Sequence, residues 1–272
     1  MSEQRARSLR VGVVGAAGRM GSTVCAALDA AADLELVAAV DPAAAGTILA
    51  PPASAARAEI VVGADLGSLA GARAEVVVDF TVASATRANL PAYAADGIHA
   101  VVGTTGLDDA DLAAAAAAYP AGGRLGCVLA ANFAIGAVLM MRFAELAAPW
   151  FETAEIVEAH HDAKPDAPSG TAVATARRMA EASGKWVPER TRTETVPGAR
   201  GAAGPGGIRL HALRLRGLVA RQEVLLGTEG QTLVLRHESS DRSSFMPGVL
   251  LAVREVVGRP GLTVGLDALL GL

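Results

Sequence analysis

Leu9 to Val14 is a short, unbroken apolar run that ends in Gly15-Ala16-Ala17-Gly18-Arg19-Met20-Gly21, after which Met20, Val24 and Leu28 recur at helical spacing. Strand, glycine turn and helix in direct succession constrain the fold more than anything else in the chain. A second apolar run, Leu34 to Val40, closes on Asp41. A carboxylate at the end of the second strand can accept hydrogen bonds from both hydroxyls of a dinucleotide ribose, and Asp41 stands slightly beyond the usual spacing of about 20 residues from the first glycine. The motif is GxxGxxG rather than the commoner GxGxxG, so the glycines alone are a weak signal. Together with the flanking strands and Asp41 they specify a Rossmann half, with NADH or NADPH as the expected cofactor.

The alternation of strands and helices continues. Glu75 to Phe80 reads as a strand, Ala83 to Ala95 as a helix, and Ile98 to Val102 as a strand that runs into Gly103-Thr104-Thr105. The six alanines from Ala113 to Ala118 form a helix by propensity, bracketed by Asp108 to Asp111 and by Pro120. Leu125 to Leu129 supplies one more strand, leading into Ala130-Ala131-Asn132-Phe133. Such a succession predicts a doubly wound parallel sheet with ligands at the carboxyl ends of its strands, where Gly15, Asp41, Gly103 to Thr105 and Ala130 to Phe133 all fall. Only Pro42 to Gly71 is poor in pattern; it reads as a loop with a short strand at Ile60 to Val62.

After Phe133 the character changes. A helix from Ile135 to Ala148, a strand leading to His160 and a helix from Thr171 to Ala182 are followed by Pro188 to Gly207, a long loop of the kind usually functional or mobile. From Ile208 onward the alternating runs IRLHALRL, LVARQEVLL and QTLVLRHES, with a turn at Gly227 to Gly230, read as antiparallel strands with a hairpin. One broad apolar face of that sheet lacks helices to cover it, which points to burial against another subunit, or to a half-covered sheet in a monomer. Ser244 to Val257 reads as a helix, and Leu262 to Leu270 as an apolar tail returning to the first domain.

The chemistry is concentrated in Glu155 to Thr171, EIVEAHHDAKPDAPSGT. An imidazole such as His160 exchanges a proton near neutral pH, an ammonium such as Lys164 is a compact positive charge, and the N–H groups of a helix start at Ser169, Gly170 and Thr171 can hold a carboxylate. The chain has only two lysines, Lys164 and Lys185, so a lysine here is no habit of composition. The His160-His161 pair has no Cys, Asp or Glu at the spacing of a known zinc motif, and no metal is expected.

Composition limits the alternatives. With 272 residues, 51% of them hydrophobic, the chain can fill two modest cores. A net charge of −4 without a basic run argues against nucleic acid or an acidic membrane surface as a partner. Cys25 and Cys127 read as buried thiols of a reducing compartment. The polar start MSEQRARSLR and the lack of any stretch of about 20 apolar residues predict a soluble, cytoplasmic protein without a membrane span. Another Rossmann dehydrogenase would share the first half of this pattern, and a regulator that senses the cofactor would share the fold without needing His160 and Lys164 together.

GAAGRMG at Gly15, GTTG at Gly103, AANF at Ala130 and above all EAHHDAKPDAPSGTA from Glu158 to Ala172 resemble the dihydrodipicolinate reductase family, now named 4-hydroxy-tetrahydrodipicolinate reductase. The resemblance runs over the whole chain. It implies reduction of 4-hydroxy-tetrahydrodipicolinate, a small dicarboxylate, to tetrahydrodipicolinate with NADH or NADPH, in the diaminopimelate route to lysine. It further implies a cytoplasmic homotetramer built through the open mixed sheet of a C-terminal α/β domain. The domains so implied are residues 1–131 with 241–272 for the dinucleotide, and 132–240 for substrate binding and tetramerisation, with closure hinged near Asn132 and Asp241. By position, His160 is the proton donor or acceptor and Lys164 a second donor. His161 is then a substrate contact, Ser169, Gly170 and Thr171 form the carboxylate clamp, and Gly15 through Met20, Asp41, Gly103 to Thr105 and Ala130 to Phe133 contact the cofactor. Two positions depart from the family pattern. Ala163 stands where many relatives carry a histidine, and Pro42 follows the acidic ribose contact where some carry a basic residue, which weighs against strong NADPH use.

Overall fold

The structure, a computed structural model, describes residues 8–49 and 59–272. Residues 1–7 of the polar start, and residues 50–58 of the loop expected from Pro42 to Gly71, lie outside the described residues. The chain divides into two compact units, Met1–Phe133 with Phe245–Leu272, and Ala134–Ser244.

The first unit opens with β1 (Leu9–Val14), α1 (Arg19–Ala30), β2 (Leu34–Val40), α2 (Gly67–Gly71) and β3 (Val76–Asp79). It continues through α3 (Ala83–Ala95), β4 (His99–Val102), α4 (Asp109–Ala118) and β5 (Gly126–Leu129). The second unit holds α5 (Ile135–Ala147), β6 (Thr153–His160), α6 (Gly170–Ala182), β7 (Ala202–Ala203), β8 (Arg209–Arg214), β9 (Ala220–Thr228) and β10 (Gln231–Ser239). The chain then returns to the first unit with α7 (Met246–Val256), β11 (Gly261–Val264) and α8 (Asp267–Leu270).

Every pairing in the six-stranded sheet of the first unit is parallel, in the order β11-β5-β4-β3-β1-β2. β3, which reads VVVD, and β5 are buried along their whole length, as a sheet covered on both faces requires. Val24, Cys25 and Leu28 of α1 and Val249, Ala252, Val253 and Val256 of α7 are buried in this unit, while Leu90, Tyr93 and Tyr119 join Val77 and Val102 in a core cluster. The alanine run of α4 is held by a capping box: the Asp108 carboxylate accepts the Asp111 N–H at 3.0 Å and the Asp111 carboxylate accepts the Asp108 N–H at 2.9 Å. The Arg87 fork on Asp111 holds that carboxyl down at about 2. Cys25 and Cys127 are unpaired, buried thiols, both pushed up to about 12 by burial.

Parts of this unit differ from the sequence reading: α2 falls within the expected loop, and the expected apolar tail holds β11 and α8. The strand expected at Ile60 to Val62 shrinks to single bridges, Ile48 with Val61 and Val40 with Gly63. The helix expected from Ser244 begins instead as a 3-10 turn over Arg242–Phe245, and α7 starts at Met246 because Pro247, which has no N–H, fits only the first turn of a helix. Phe133 belongs to this unit, since its buried ring packs 5.7 Å from that of Phe80.

The sheet of the second unit runs β10-β9-β6-β8-β7, with β6 at its centre. β9 and β10 form the expected hairpin around Glu229-Gly230, and β9 is antiparallel to β6. β8 does not pair with β9, contrary to the antiparallel reading of the three alternating runs: it lies on the other side of β6 and runs parallel to it, which gives the mixed sheet that the resemblance implied. The loop from Pro188 to Gly207 is also more ordered than its sequence suggested. Within it β7 pairs with β8, and Arg200 bridges Glu155 and Glu189.

α5 and α6 cover one face of this sheet, where Met140, Ala144, Ala172, Ala176 and Met179 pack against Ile156, Leu210, Val224 and Leu226. The opposite face leaves Leu213, Leu225 and Val234 exposed at 39%, 37% and 52%. A broad cavity of about 820 Å³ on that side is lined by Trp186, Val187, Leu225 and Val234 and by Glu155 and Val157 of β6. Since side chains alternate along a strand, Ile156, Glu158 and His160 point to the helix-covered face, away from this cavity.

Gly21 is the residue that lets α1 start against the turn before it: a Cβ there would stand 2.0 Å from the Gly15 carbonyl oxygen. We expect Gly21→Ala to lower unfolding stability by about 1–3 kcal/mol, the usual range for forced overpacking. Urea unfolding measures this, and an unchanged midpoint would show that the turn can yield.

Candidate active site

In the first unit the parallel register brings four strand ends to one edge of the sheet. Val14 pairs with Val40 and Asp79, Asp79 with Val102, and Val102 with Leu129, so the residues that follow β1, β2, β4 and β5 emerge side by side. Gly15 turns with φ +77°, and a Cβ there would meet the Phe80 carbonyl oxygen at 3.0 Å. Its N–H and that of Ala16 both donate to the Val40 carbonyl, which ties the turn to the end of β2. Gly18 caps α1 without any side-chain hydrogen bond, so nothing at the N-cap competes with a ligand for the amides of that first turn.

Asp41 closes the same corner. Its Oδ2 accepts the Ala17 N–H and its Oδ1 the Ala43 N–H, each at 3.1 Å. A carboxylate has room for about four hydrogen bonds, so capacity remains for two hydroxyls. Ala17, Gly18 and Arg19 are exposed and Met20 half-buried, whereas Ala16 is fully buried and can offer only backbone.

The segments after β4 and β5 are more inward than their sequence implied. Thr105 is exposed, but Thr104 is buried and its hydroxyl is engaged by Thr86 at 2.8 Å and by the Thr81 carbonyl at 3.3 Å. Gly103 lies under the Phe80 ring, where a Cβ would approach within 2.1 Å. Ala130 and Phe133 are buried, leaving Ala131 and Asn132 as the more accessible residues of their segment.

Beneath this edge is a buried acid that sequence reasoning did not single out. Asp79 ends β3 fully buried and accepts from the Thr81 amide and hydroxyl, from Asn89, and from the Tyr93 hydroxyl at 2.9 Å. Its signal was present in the sequence as a lone acid closing a run of three valines.

In the second unit the expected residues gather at the carboxyl end of β6. His160 is the last residue of the strand, His161 is half-buried just beyond it, and the His161 carbonyl accepts the Lys164 N–H at 3.2 Å. The Lys164 ammonium lies 2.8 Å from both oxygens of Asp166, whose carboxyl it holds below the usual range. Ser169 caps α6, its hydroxyl accepting the Ala172 N–H at 3.2 Å. Gly170 starts the helix in open space, where a Cβ would meet no atom within 4 Å, and Thr171 follows, its carbonyl accepting the Thr175 hydroxyl.

At the centre is Glu158, 1% exposed. It takes the Arg214 fork at 2.9 and 3.0 Å, the Ser169 N–H at 3.1 Å and His160 Nδ1 at 2.6 Å. Burial alone would push its carboxyl up, but Arg214 and His160 outweigh that and hold it below the ordinary glutamate value. Burial pushes the His160 imidazole down, Glu158 pulls it back up, and Lys164 and Arg214 add to the lowering. Neither Glu158 nor Arg214 was among the sequence candidates; Arg214 reaches the site only because β8 runs parallel to β6, with Arg214 opposite His160. No group of three or more metal-binding side chains occurs among the described residues.

Such an arrangement holds a titrating imidazole, an ammonium and a helix start around one end of a strand, which suits proton transfer on an anionic molecule. Comparison with known proteins decides the family. "Dihydrodipicolinate reductase, N-terminus" matches residues 9–133, and "Dihydrodipicolinate reductase, C-terminus" matches residues 136–270.

The chain belongs to the dihydrodipicolinate reductase family.

It is 51% identical to the 4-hydroxy-tetrahydrodipicolinate reductase of Beutenbergia cavernae and 51% identical to that of Nocardia farcinica, in each case over 97% of this chain and 100% of the relative. Among solved structures it resembles the dipicolinate-bound dihydrodipicolinate reductase of Paenisporosarcina sp. TG-14, with 39% identity, a TM-score of 0.83, and coverage of 96% of this chain and 99% of that one.

The open surroundings of Gly170 allow a clean test of the helix start as an anion site. Gly170→Val is expected to leave thermal unfolding nearly unchanged and to weaken dipicolinate binding, measured by calorimetry, by about tenfold or more, the loss of one charge-assisted hydrogen bond. Unchanged affinity would make Ser169 to Thr171 an ordinary helix cap.

Proposed function

We propose that this chain reduces 4-hydroxy-tetrahydrodipicolinate to tetrahydrodipicolinate with a reduced pyridine nucleotide, in the diaminopimelate route to lysine. Membership of the family over nearly the whole chain is the observation that carries the activity. The residue roles below, the domain roles, the assembly and the location are our own reading. In that reading the first unit serves the dinucleotide, and the second serves substrate and assembly.

The first unit fits a dinucleotide. The positive φ at Gly15, the α1 N-cap without a side-chain hydrogen bond and the spare capacity of Asp41 are what a pyrophosphate and a ribose require. Gly15 to Met20, with the α1 amides, would hold the pyrophosphate, Asp41 the ribose, and Gly103 to Thr105 with Ala130 to Phe133 the nicotinamide end. When bound, NADH or NADPH supplies a hydride.

The second unit supplies binding and proton transfer. Of the expected clamp, the Ser169 N–H is already given to Glu158, so Gly170 and Thr171 receive one substrate carboxylate with their N–H groups at the start of α6 while Ser169 caps the helix, and His161 makes a further contact. Negative character grows on the ring system as it is reduced. Lys164 offsets that charge, and His160 delivers the proton. Burial favours the neutral imidazole, so His160 surrenders a proton more readily than a free histidine.

We read the bare face of the second sheet, with Leu213, Leu225 and Val234, as the surface through which four copies assemble. Among the described residues no helix is long and apolar enough to cross a membrane, and Cys25 and Cys127 remain free thiols. Those thiols support a reducing, cytoplasmic location.

A steady-state assay with freshly generated substrate tests the activity; absence of turnover with both nucleotides would overturn it. Asp41→Ala is expected to weaken NADH by about tenfold or more, the loss of a charge-assisted hydrogen bond. It should weaken NADPH less, because it also removes a carboxylate that repels a 2′-phosphate, with Arg19 left to attract one. Titration of both nucleotides measures the difference, and equal losses would remove Asp41 from the ribose.

Lys164→Arg keeps the charge but broadens it and makes it nearly impossible to deprotonate. It is expected to lower kcat by on the order of 10²-fold, with His160→Gln costing a similar factor and flattening the pH profile. Nucleotide affinity should be unchanged in both. Near wild-type kcat in Lys164→Arg would assign that position to electrostatics alone.

A further inference from the structure

Glu158 makes four contacts, two on each oxygen. Oε1 accepts from Arg214 Nη2 at 2.9 Å and from the Ser169 N–H at 3.1 Å; Oε2 meets Arg214 Nη1 at 3.0 Å and His160 Nδ1 at 2.6 Å. A carboxylate has about four acceptor positions, so the set is complete. Three of the four partners can only donate. A proton on Glu158 would leave a donor facing a donor in a group that is 1% exposed, which is strongly unfavourable. Glu158 is therefore ionised, and an ionised carboxylate only accepts. At 2.6 Å, the His160 Nδ1 must carry the proton.

We infer that Glu158 is a positioning residue for the proton-transfer step: it fixes His160 as the Nδ1–H tautomer, so that Nε2 is the atom that gives and takes the proton, and it holds the α6 start through the same carboxylate. This rests on the proposed role of His160. The step balances: the Nε2–H bond of the imidazolium breaks as the proton passes to the substrate, and the neutral ring keeps its Nδ1–H on Glu158. No proton passes to Glu158.

One carboxylate thus sets two parts of the site. The His160 ring is fixed through Oε2. The Ser169 N–H is fixed through Oε1, immediately before Gly170 and Thr171. Arg214 completes the frame by also donating from Nη2 to the Asp166 carbonyl at 2.6 Å, in the loop that carries Lys164. Glu158 then governs both where the proton leaves and where the anion is received.

The charged groups that act on His160 are Glu158 on its own strand, Arg214 from β8 and Lys164 from the following loop, the last paired with Asp166. On β9 the residue opposite is Ala220, and the Arg221 beside it pairs with Glu223. Replacing Glu158 with neutral Gln removes the only one of these that favours the imidazolium and leaves Arg214 uncompensated. The His160 pKa must fall. An enzyme that needs the imidazolium then loses activity at lower pH as the solution is made alkaline.

The decisive measurement needs no substrate. Nitrogen-15 NMR of His160 in the intact wild-type protein at alkaline pH is expected to show Nδ1 protonated and Nε2 bare; the Nε2–H tautomer would overturn the proposal even if no variant folds. Glu158→Gln is expected to lower the His160 titration midpoint by about one pH unit or more. In the kinetic assay it should lower kcat on the order of 10- to 100-fold and move the alkaline limb of the rate profile down by the same interval. Glu158→Asp, which keeps the charge but shortens the reach, should restore most of the midpoint. A fall in kcat with an unmoved midpoint would mean that Glu158 only supports the fold. If the tautomer and midpoint behave as stated but no turnover occurs, the proposed reaction fails while the positioning role stands.

Discussion

Parallel strand pairing is the constraint on which both units depend. Strands that run the same way in register end at the same edge, so the residues just after them meet whatever their distance in sequence. In the first unit this brings the turns at Gly15 and Asp41 together with the segments after Val102 and Leu129. In the second, one parallel pair in an otherwise antiparallel sheet has the same effect. β8 delivers Arg214 beside His160, which an antiparallel β8 would have carried to the far end.

The pairing also determines which charges can be buried. A carboxylate taken out of water and left alone is unfavourable by several kcal/mol, and removing the partner of a buried ion typically costs about 3–5 kcal/mol. Asp79 and Glu158 are both buried near strand ends, and most of the donors around each arrive from other elements. Asp79 uses hydroxyls and amides, which stiffens the turn around Phe80 and Thr81. Glu158 uses a guanidinium, an amide and an imidazole, which couples a rigid frame to a group that titrates.

What could be read in the sequence was what depends on neighbours along the chain. Strand, turn and helix at Leu9 to Leu28 and the capping box at Asp108 and Asp111 are local, and so is the gathering of His160, Lys164 and Ser169 within ten residues. What could not be read depends on direction and register between strands. IRLHALRL alternates like any half-buried strand, and nothing in its pattern tells parallel from antiparallel, so nothing in it marks Arg214 for the site. Thr104 illustrates the same limit on a smaller scale. As a residue of a glycine-rich turn it reads as a ligand contact, but Thr86, 18 positions earlier, draws its hydroxyl inward.

The two basic residues of the second site are held in ways that match different tasks. Arg214 presents a planar fork to a buried carboxylate, and both of its Nη atoms also reach backbone carbonyls. That geometry is rigid and hard to replace. Lys164 is held by Asp166, whose side chain is 59% exposed. An exposed pair of this kind contributes only about 0–1 kcal/mol. An arriving carboxylate can therefore take the ammonium from Asp166 at little cost, while nothing of comparable strength can take Arg214 from Glu158. In a chain where arginine is the usual cation, lysine occupies the position held only by a carboxylate that stands largely in solvent.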